Sequence, residues 1–312
     1  MKTITLDSVT TVHPVTREDK TAMAGLRALV EPNKGQLRGT AARVPFDGII
    51  GHTPQRAGVK YQQDTVGGVP GWWCLVGDAL QGQAILHLHG GWFNWGSARA
   101  YRNLVGHIAG QAQVNAFIPD YRLAPEHPFP AAVEDIQASY QALVERGIRK
   151  IAITGDSAGG NLALVLLSLA STFSVGPSAA VVLSPVTDLT ISGNSWETRA
   201  AADPYFTREQ AAGLVKAYLG GASAIDPKAS PLYGNLVGLP PIRVHVGADE
   251  VLLDDSRRYV ERALANGVDA KLDVWEGMPH GFLGGIGGFA AATKSLEAIG
   301  PFLAERLADL KK

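Results

Sequence analysis

From about residue 60 onward, short runs of β-branched and other apolar residues alternate with longer stretches whose apolar positions recur every three or four residues. The short runs suit strands buried on both faces, and the longer ones suit helices that cover them. This alternation predicts strands at 61–66, 72–76, 84–89, 114–119, 150–154, 179–183, 242–246 and 271–275, eight in all. Helices are predicted over 98–110, 131–146, 158–171, 255–266 and 289–310, the last with Leu296, Ile299, Leu303 and Leu307 on one face. The first two strands precede any crossover helix and are expected to be antiparallel, whereas the rest should run parallel. The fold class is α/β.

Two stretches break the alternation. Residues 1–58 hold one amphipathic helix around 16–30, with Met23, Leu26 and Val30 on one face, followed by a run punctuated by Gly and Pro. Residues 188–236 hold a helical pattern at 208–219 between Asp203-Pro204 and Asp226-Pro227. Both are expected to leave the sheet and pack together as a cap over a catalytic domain spanning 59–312. No repeat or heptad run is found.

Composition narrows the classes of function. Apolar residues make up 46% of the 312 positions and charged residues 18%, which gives a chain with ample core and excludes a disordered one. Twenty-eight basic residues against 29 acidic ones leave a formal charge of −1, too balanced for a nucleic-acid partner. The most apolar stretch, 162–170, falls well short of the roughly 20 residues that span a bilayer, so no membrane partner is expected. Cys74 stands alone and the first fifteen residues lack a long apolar core, so the cytoplasm is the expected location. A homodimer is left open.

The chemistry begins at Gly155-Asp156-Ser157-Ala158-Gly159-Gly160, which lies between a predicted strand and an apolar helix. In that setting G-x-S-x-G makes a sharp turn that presents a serine hydroxyl at the carboxyl edge of the sheet. A serine needs a base, and the base needs a carboxylate to orient it. Of eight histidines, His280 follows the last strand in a turn-rich loop and returns to the same edge. His87 and His245 lie inside apolar strands, His127 suits a structural loop, and His13, His52 and His107 have no supporting context. The carboxylate is expected from Gly247-Ala248-Asp249-Glu250, with Asp249 preferred as the nearest to the strand end. Asp254 and Asp255 read as helix N-caps and Glu250 as a partly exposed neighbour. His89-Gly90-Gly91-Trp92-Phe93 follows the third strand, where side-chain-poor residues let backbone N–H groups reach a developing oxyanion; Ala158 adds its own N–H.

Together with Tyr121 to Ala132 (YRLAPEHPFPAA), these motifs resemble the hormone-sensitive-lipase branch of the α/β-hydrolases, the bacterial family IV esterases. The resemblance runs from about residue 80 to the C-terminus. It implies a Ser157, Asp249, His280 triad, an oxyanion hole from the amides of Gly91, Trp92 and Ala158, and a helical cap that includes the N-terminal segment. The implied activity is hydrolysis of small carboxylic esters through an acyl-enzyme, with no metal or organic cofactor. The sequence departs from the family at Trp92, where a third glycine is usual; the N–H survives the change, but an indole must be accommodated. Short or compact acyl groups are therefore expected. Two other readings fit parts of the pattern: an arylformamidase-type amidase, from His-Gly-Gly followed by aromatics, and a non-catalytic receptor, which the presence of His280 disfavours.

Overall fold

The computed structural model describes residues 4–308. Residues 1–3 of the stretch read for a leader and residues 309–310 of the last predicted helix lie outside it. The strands are β1 (Thr10–His13), β2 (Val59–Val66), β3 (Val69–Val76), β4 (Gln83–Leu88), β5 (Ala116–Pro119), β6 (Lys150–Asp156), β7 (Ala179–Leu183), β8 (Ile242–Gly247) and β9 (Ala270–Trp275). They form one sheet in the order β1-β9-β8-β7-β6-β4-β5-β3-β2. β2 pairs antiparallel with β3, as expected of strands with no crossover helix between them, and β3 also pairs antiparallel with β5. The remaining pairings are parallel.

The sheet has nine strands where the apolar pattern predicts eight. The ninth, β1, reads Thr-Thr-Val-His at the sheet edge and is half exposed, so it carries no apolar run to be read. It lies parallel to β9, with Thr10 opposite Leu272 and His13 opposite Trp275. His13 fastens it: the ring stacks on Trp275 at 3.8 Å, and Nε2 sits 2.7 Å from Asp273 Oδ1. This part of residues 1–58 therefore joins the sheet.

The helices are α1 (Leu6–Val9), α2 (Arg17–Val30), α3 (Arg43–Ile50), α4 (Ala98–Ala112), α5 (Ala131–Glu145), α6 (Ala158–Ser168), α7 (Ser195–Thr198), α8 (Arg208–Leu219), α9 (Leu253–Ala265) and α10 (Ala290–Leu307). The five predicted crossover helices are all present, with ends displaced by a few residues. α4 and α10 bury Leu104, Ile108, Leu296 and Leu303 against Ile85, Ala152 and Val181 on one face of the sheet. α5, α6 and α9 bury Ile136, Leu164 and Val260 against Leu86, Ile153 and Val244 on the other. Alternate residues of each central strand thus feed two cores, which is why the strands read as continuous apolar runs.

Residues 188–236 are joined by hydrogen bonds to α2 and the segment that follows it. The Gly35 N–H donates to Tyr205 O at 3.0 Å, Gln210 Nε2 to Leu37 O at 2.8 Å and Arg27 Nη2 to Ala202 O at 2.6 Å. No helix among the described residues is long and apolar enough to cross a membrane.

Candidate active site

Ser157 joins β6 to α6 with φ 55° and ψ −120°, a left-handed conformation that costs a non-glycine residue about 1–3 kcal/mol. Close packing on both sides holds it there. A Cβ on Gly159 would fall 1.9 Å from Leu88 O, and one on Gly155 would fall 2.3 Å from Gly159 O. Glycines at these positions let α6 start against the strand ends and turn its N-terminus toward the serine. The Ser157 N–H donates to Leu183 O at 2.8 Å, so the elbow is also tied to β7.

His280 comes from the loop after β9. Its Nδ1 lies 2.7 Å from Glu250 Oε2. An ionised carboxylate can only accept, so Nδ1 carries the hydrogen and Nε2 is left as the basic nitrogen. The second Glu250 oxygen accepts from the Gly247 N–H at 2.6 Å and from Ser184 Oγ at 2.7 Å. The side chain is fully buried, with both oxygens engaged. Burial opposes the charged imidazole, but the hydrogen bond to Glu250, with the charges of Glu250, Asp203 and Asp156, outweighs it and raises the His280 pKa above its ordinary value. No hydrogen bond joins Ser157 Oγ to His280 among the described residues.

The expected carboxylate, Asp249, is not the one that meets the histidine. Its side chain turns outward to Arg27, 3.0 Å away, and is 27% exposed. Its N–H donates to Met278 O at 3.1 Å, and the next residue, Glu250, points inward with the longer reach. Proximity to the strand end was the wrong guide, because the loop reverses direction between the two side chains. Nor do Asp254 and Asp255 act as N-caps. α9 begins before them, at Leu253; Asp254 accepts from the Ser195 N–H and Asp255 from the N–H groups of Thr187 and Asp188.

The loop after β4 reaches the same edge, since Leu88 pairs with Gly155 in register. Gly91 has φ 117° and Trp92 φ 53°. Among the described residues no hydrogen bond engages the backbone N–H of Gly91, Trp92 or Ala158, which leaves three donors beside the serine. The loop itself is held firmly. Tyr121 OH donates to His89 O at 2.7 Å, the His89 ring stacks on Tyr121 at 4.2 Å, and the Gly90 N–H donates to Asp156 Oδ1 at 3.0 Å. A Cβ on Gly90 would strike Asp156 Oδ2 at 2.3 Å. Asp156, one of the two variable residues of the G-x-S-x-G pattern, thus ties the elbow to the loop after β4, a role visible only once β4 and β6 are seen side by side.

The Trp92 indole is buried against Trp196 at 6.3 Å and, edge to face, against Phe206 at 5.5 Å. Phe206 packs edge-on to His280 at 5.0 Å. Nothing in the local sequence singles out Phe206, because an aromatic beside Tyr205 in an irregular segment has no period to mark it. His87 is a core residue bonded to Thr154 Oγ1 at 2.9 Å, and His127 is exposed on its loop. His245 is buried, and that burial lowers its pKa to about 4. No group of three or more His, Cys, Asp or Glu side chains among the described residues could hold a metal ion.

Residues 85–284 match the family model described as the alpha/beta hydrolase fold. A solved structure, an esterase from the bacterial hormone-sensitive lipase family, superposes with a TM-score of 0.87 and 37% identity over 94% of this chain and 99% of its own. The chain belongs to the hormone-sensitive-lipase branch of the α/β-hydrolases. Among its relatives is an esterase of Acinetobacter venetianus, 36% identical over 87% of this chain and 90% of its own length. An acetyl-hydrolase of Streptomyces hygroscopicus is 38% identical over 64% of this chain and 68% of its own. Its relatives thus include a named esterase and a named acetyl-hydrolase.

Proposed function

We propose that the protein hydrolyses carboxylic esters with short or compact acyl groups, through Ser157, His280 and Glu250. The observation that carries this reading is the 2.7 Å contact between His280 Nδ1 and a fully buried Glu250, at the same sheet edge as a serine held in an elbow. Ser157 Oγ attacks the acyl carbon as its proton passes to His280 Nε2. The oxyanion that forms accepts from the N–H groups of Gly91, Trp92 and Ala158. Collapse of this intermediate breaks the ester C–O bond, and the alcohol leaves with the proton from His280. Water then attacks the acyl-enzyme, gives a proton to His280 and releases the acid with free Ser157. Glu250 replaces Asp249 as the group that orients the imidazole. The scheme calls on no metal or organic cofactor.

Named esterase relatives support ester over amide chemistry, and the preference for compact acyl groups rests on the wall of buried Trp92 and Trp196 and half-buried Phe206. Residues 1–58, apart from β1, and residues 188–236 form the cap of this reading, over a catalytic domain at 59–312. A cytoplasmic location belongs to the same proposal and is checked by cell fractionation. The direct test compares p-nitrophenyl butyrate with N-formylkynurenine for wild type and Ser157→Ala. The ester should be preferred, and the alanine variant should stay folded while losing about a thousandfold or more in kcat. Retention of more than a few percent of the wild-type rate would remove Ser157 from the mechanism.

A further inference from the structure

We infer that Asp203 is a positioning residue that locks the aromatic wall of the acyl pocket to the loop carrying Glu250. This rests on the esterase reading above. Asp203 is 1% exposed, and its carboxylate spans two parts of the site. Oδ1 accepts the N–H groups of Tyr205 at 2.8 Å and Phe206 at 2.9 Å, while Oδ2 accepts the Val251 N–H at 3.0 Å. Phe206 packs against His280 and Trp92, and Val251 follows Glu250 directly. One side chain therefore fixes both the pocket wall and the peptide that aims the orienting carboxylate.

The surrounding contacts favour a built clamp over a chance turn. The Asp203 N–H donates to Arg199 O at 2.8 Å, and its carbonyl accepts from Lys34 Nζ. Arg27 Nη2 holds Ala202 O at 2.6 Å and Asp249 Oδ2 at 3.0 Å with the same nitrogen. Two cations from the N-terminal segment thus bind the Asp203 stretch, and one of them also binds the residue before Glu250. Burying a carboxylate is costly, and here burial pushes the Asp203 carboxyl up despite three N–H donors. A neutral residue that only needed to cap a turn would avoid that cost. What the charge adds is a field on His280, which also feels Glu250 and Asp156.

Two variants separate the halves of the clamp. Asp203→Asn turns an amide N–H₂ toward one set of N–H donors. Asp203→Ser is short enough to keep the local turn to Tyr205 and Phe206 but loses both the Val251 bond and the charge. The first measurement is a double-mutant cycle of Asp203→Asn with Phe206→Leu, read as the kcat/KM ratio of p-nitrophenyl acetate to p-nitrophenyl hexanoate. Each single variant should move the ratio about fivefold or more in the same direction, with the double variant no further displaced than the larger single one. Additive shifts would mean that Asp203 does not act through Phe206 and would overturn the inference. The second measurement is the acid limb of kcat/KM for Asp203→Ser. Removing a negative charge near the imidazole lowers its pKa, so the limb should move to lower pH while kcat falls and KM for the acetate changes little. An unmoved limb with unchanged kcat would equally overturn it. Either failure leaves the Ser157→Ala result untouched, so the clamp and the esterase reading fail separately.

Discussion

Glu250 accepts hydrogen bonds on both oxygens and has no access to water, so its only adjustable contact is with His280. Glu250→Gln should lower kcat by about ten-thousandfold, the loss expected when an imidazole is left in the wrong tautomer. Asp249→Asn gives up a partly exposed ion pair worth about 1 kcal/mol at most, so kcat/KM should stay within about threefold. Kinetics of the two variants on one ester decide the assignment, and a larger loss in Asp249→Asn would reverse it. The pH dependence follows from the same pair. The base must be neutral, and the His280 pKa is raised above 6.5, so kcat/KM should fall as pH drops through that raised value. A midpoint well below 6.5 in a profile from about pH 5 to about pH 9 would contradict it. Trp92→Gly should extend the acyl length accepted, because the indole fills space between Phe206 and Trp196. Equal preferences for p-nitrophenyl butyrate and octanoate before and after the change would deny that role. At this scale the sequence marks Ser157, His280 and the oxyanion loop, since each carries a local constraint on the backbone or a place after a strand. It does not distinguish Asp249 from Glu250, because neighbouring side chains in a reversing loop differ in direction and not in any pattern.

The elements owe their positions to where glycine permits contact. α6 lies so close to β4 that Gly159 has no room for a methyl group beside Leu88 O. Gly159→Ala should cost more than about 3 kcal/mol, since backbone on both sides must move, and should reduce activity by shifting the Ala158 N–H. Denaturant unfolding checks this, and a loss under 1 kcal/mol, read against the roughly 1–3 kcal/mol of ordinary overpacking, would show that the elbow has slack. Strands buried on two faces and the five crossover helices are legible because a continuous or three-to-four-residue apolar period is the imprint of burial. β1 is not legible: it is short, polar and bound through His13 to Asp273 and Trp275, contacts made across more than 250 residues. Short edge strands held by backbone pairing and one side chain leave no periodic trace.

Across the whole molecule, parallel strands deliver every group of the proposed mechanism to one edge. Leu88 beside Gly155, Asp156 beside Leu183 and Gly247 beside Trp275 bring the loop after β4, Ser157, Glu250 and His280, the groups of the proposed mechanism, to one end of the sheet. The topology thus brings motifs far apart in the chain to one edge, where Trp196 and Phe206 from residues 188–236 pack against Trp92. The claim that binds these parts together is that Ser157 is a nucleophile activated by His280 and Glu250. It is tested most directly by reacting the protein with diethyl p-nitrophenyl phosphate, counting released p-nitrophenolate and locating the adduct by peptide mass spectrometry. The account predicts one equivalent released per chain, a diethylphosphoryl group on Ser157 Oγ, and strongly slowed labelling in Glu250→Gln. An adduct on another residue, or labelling at the wild-type rate without Glu250, would contradict it.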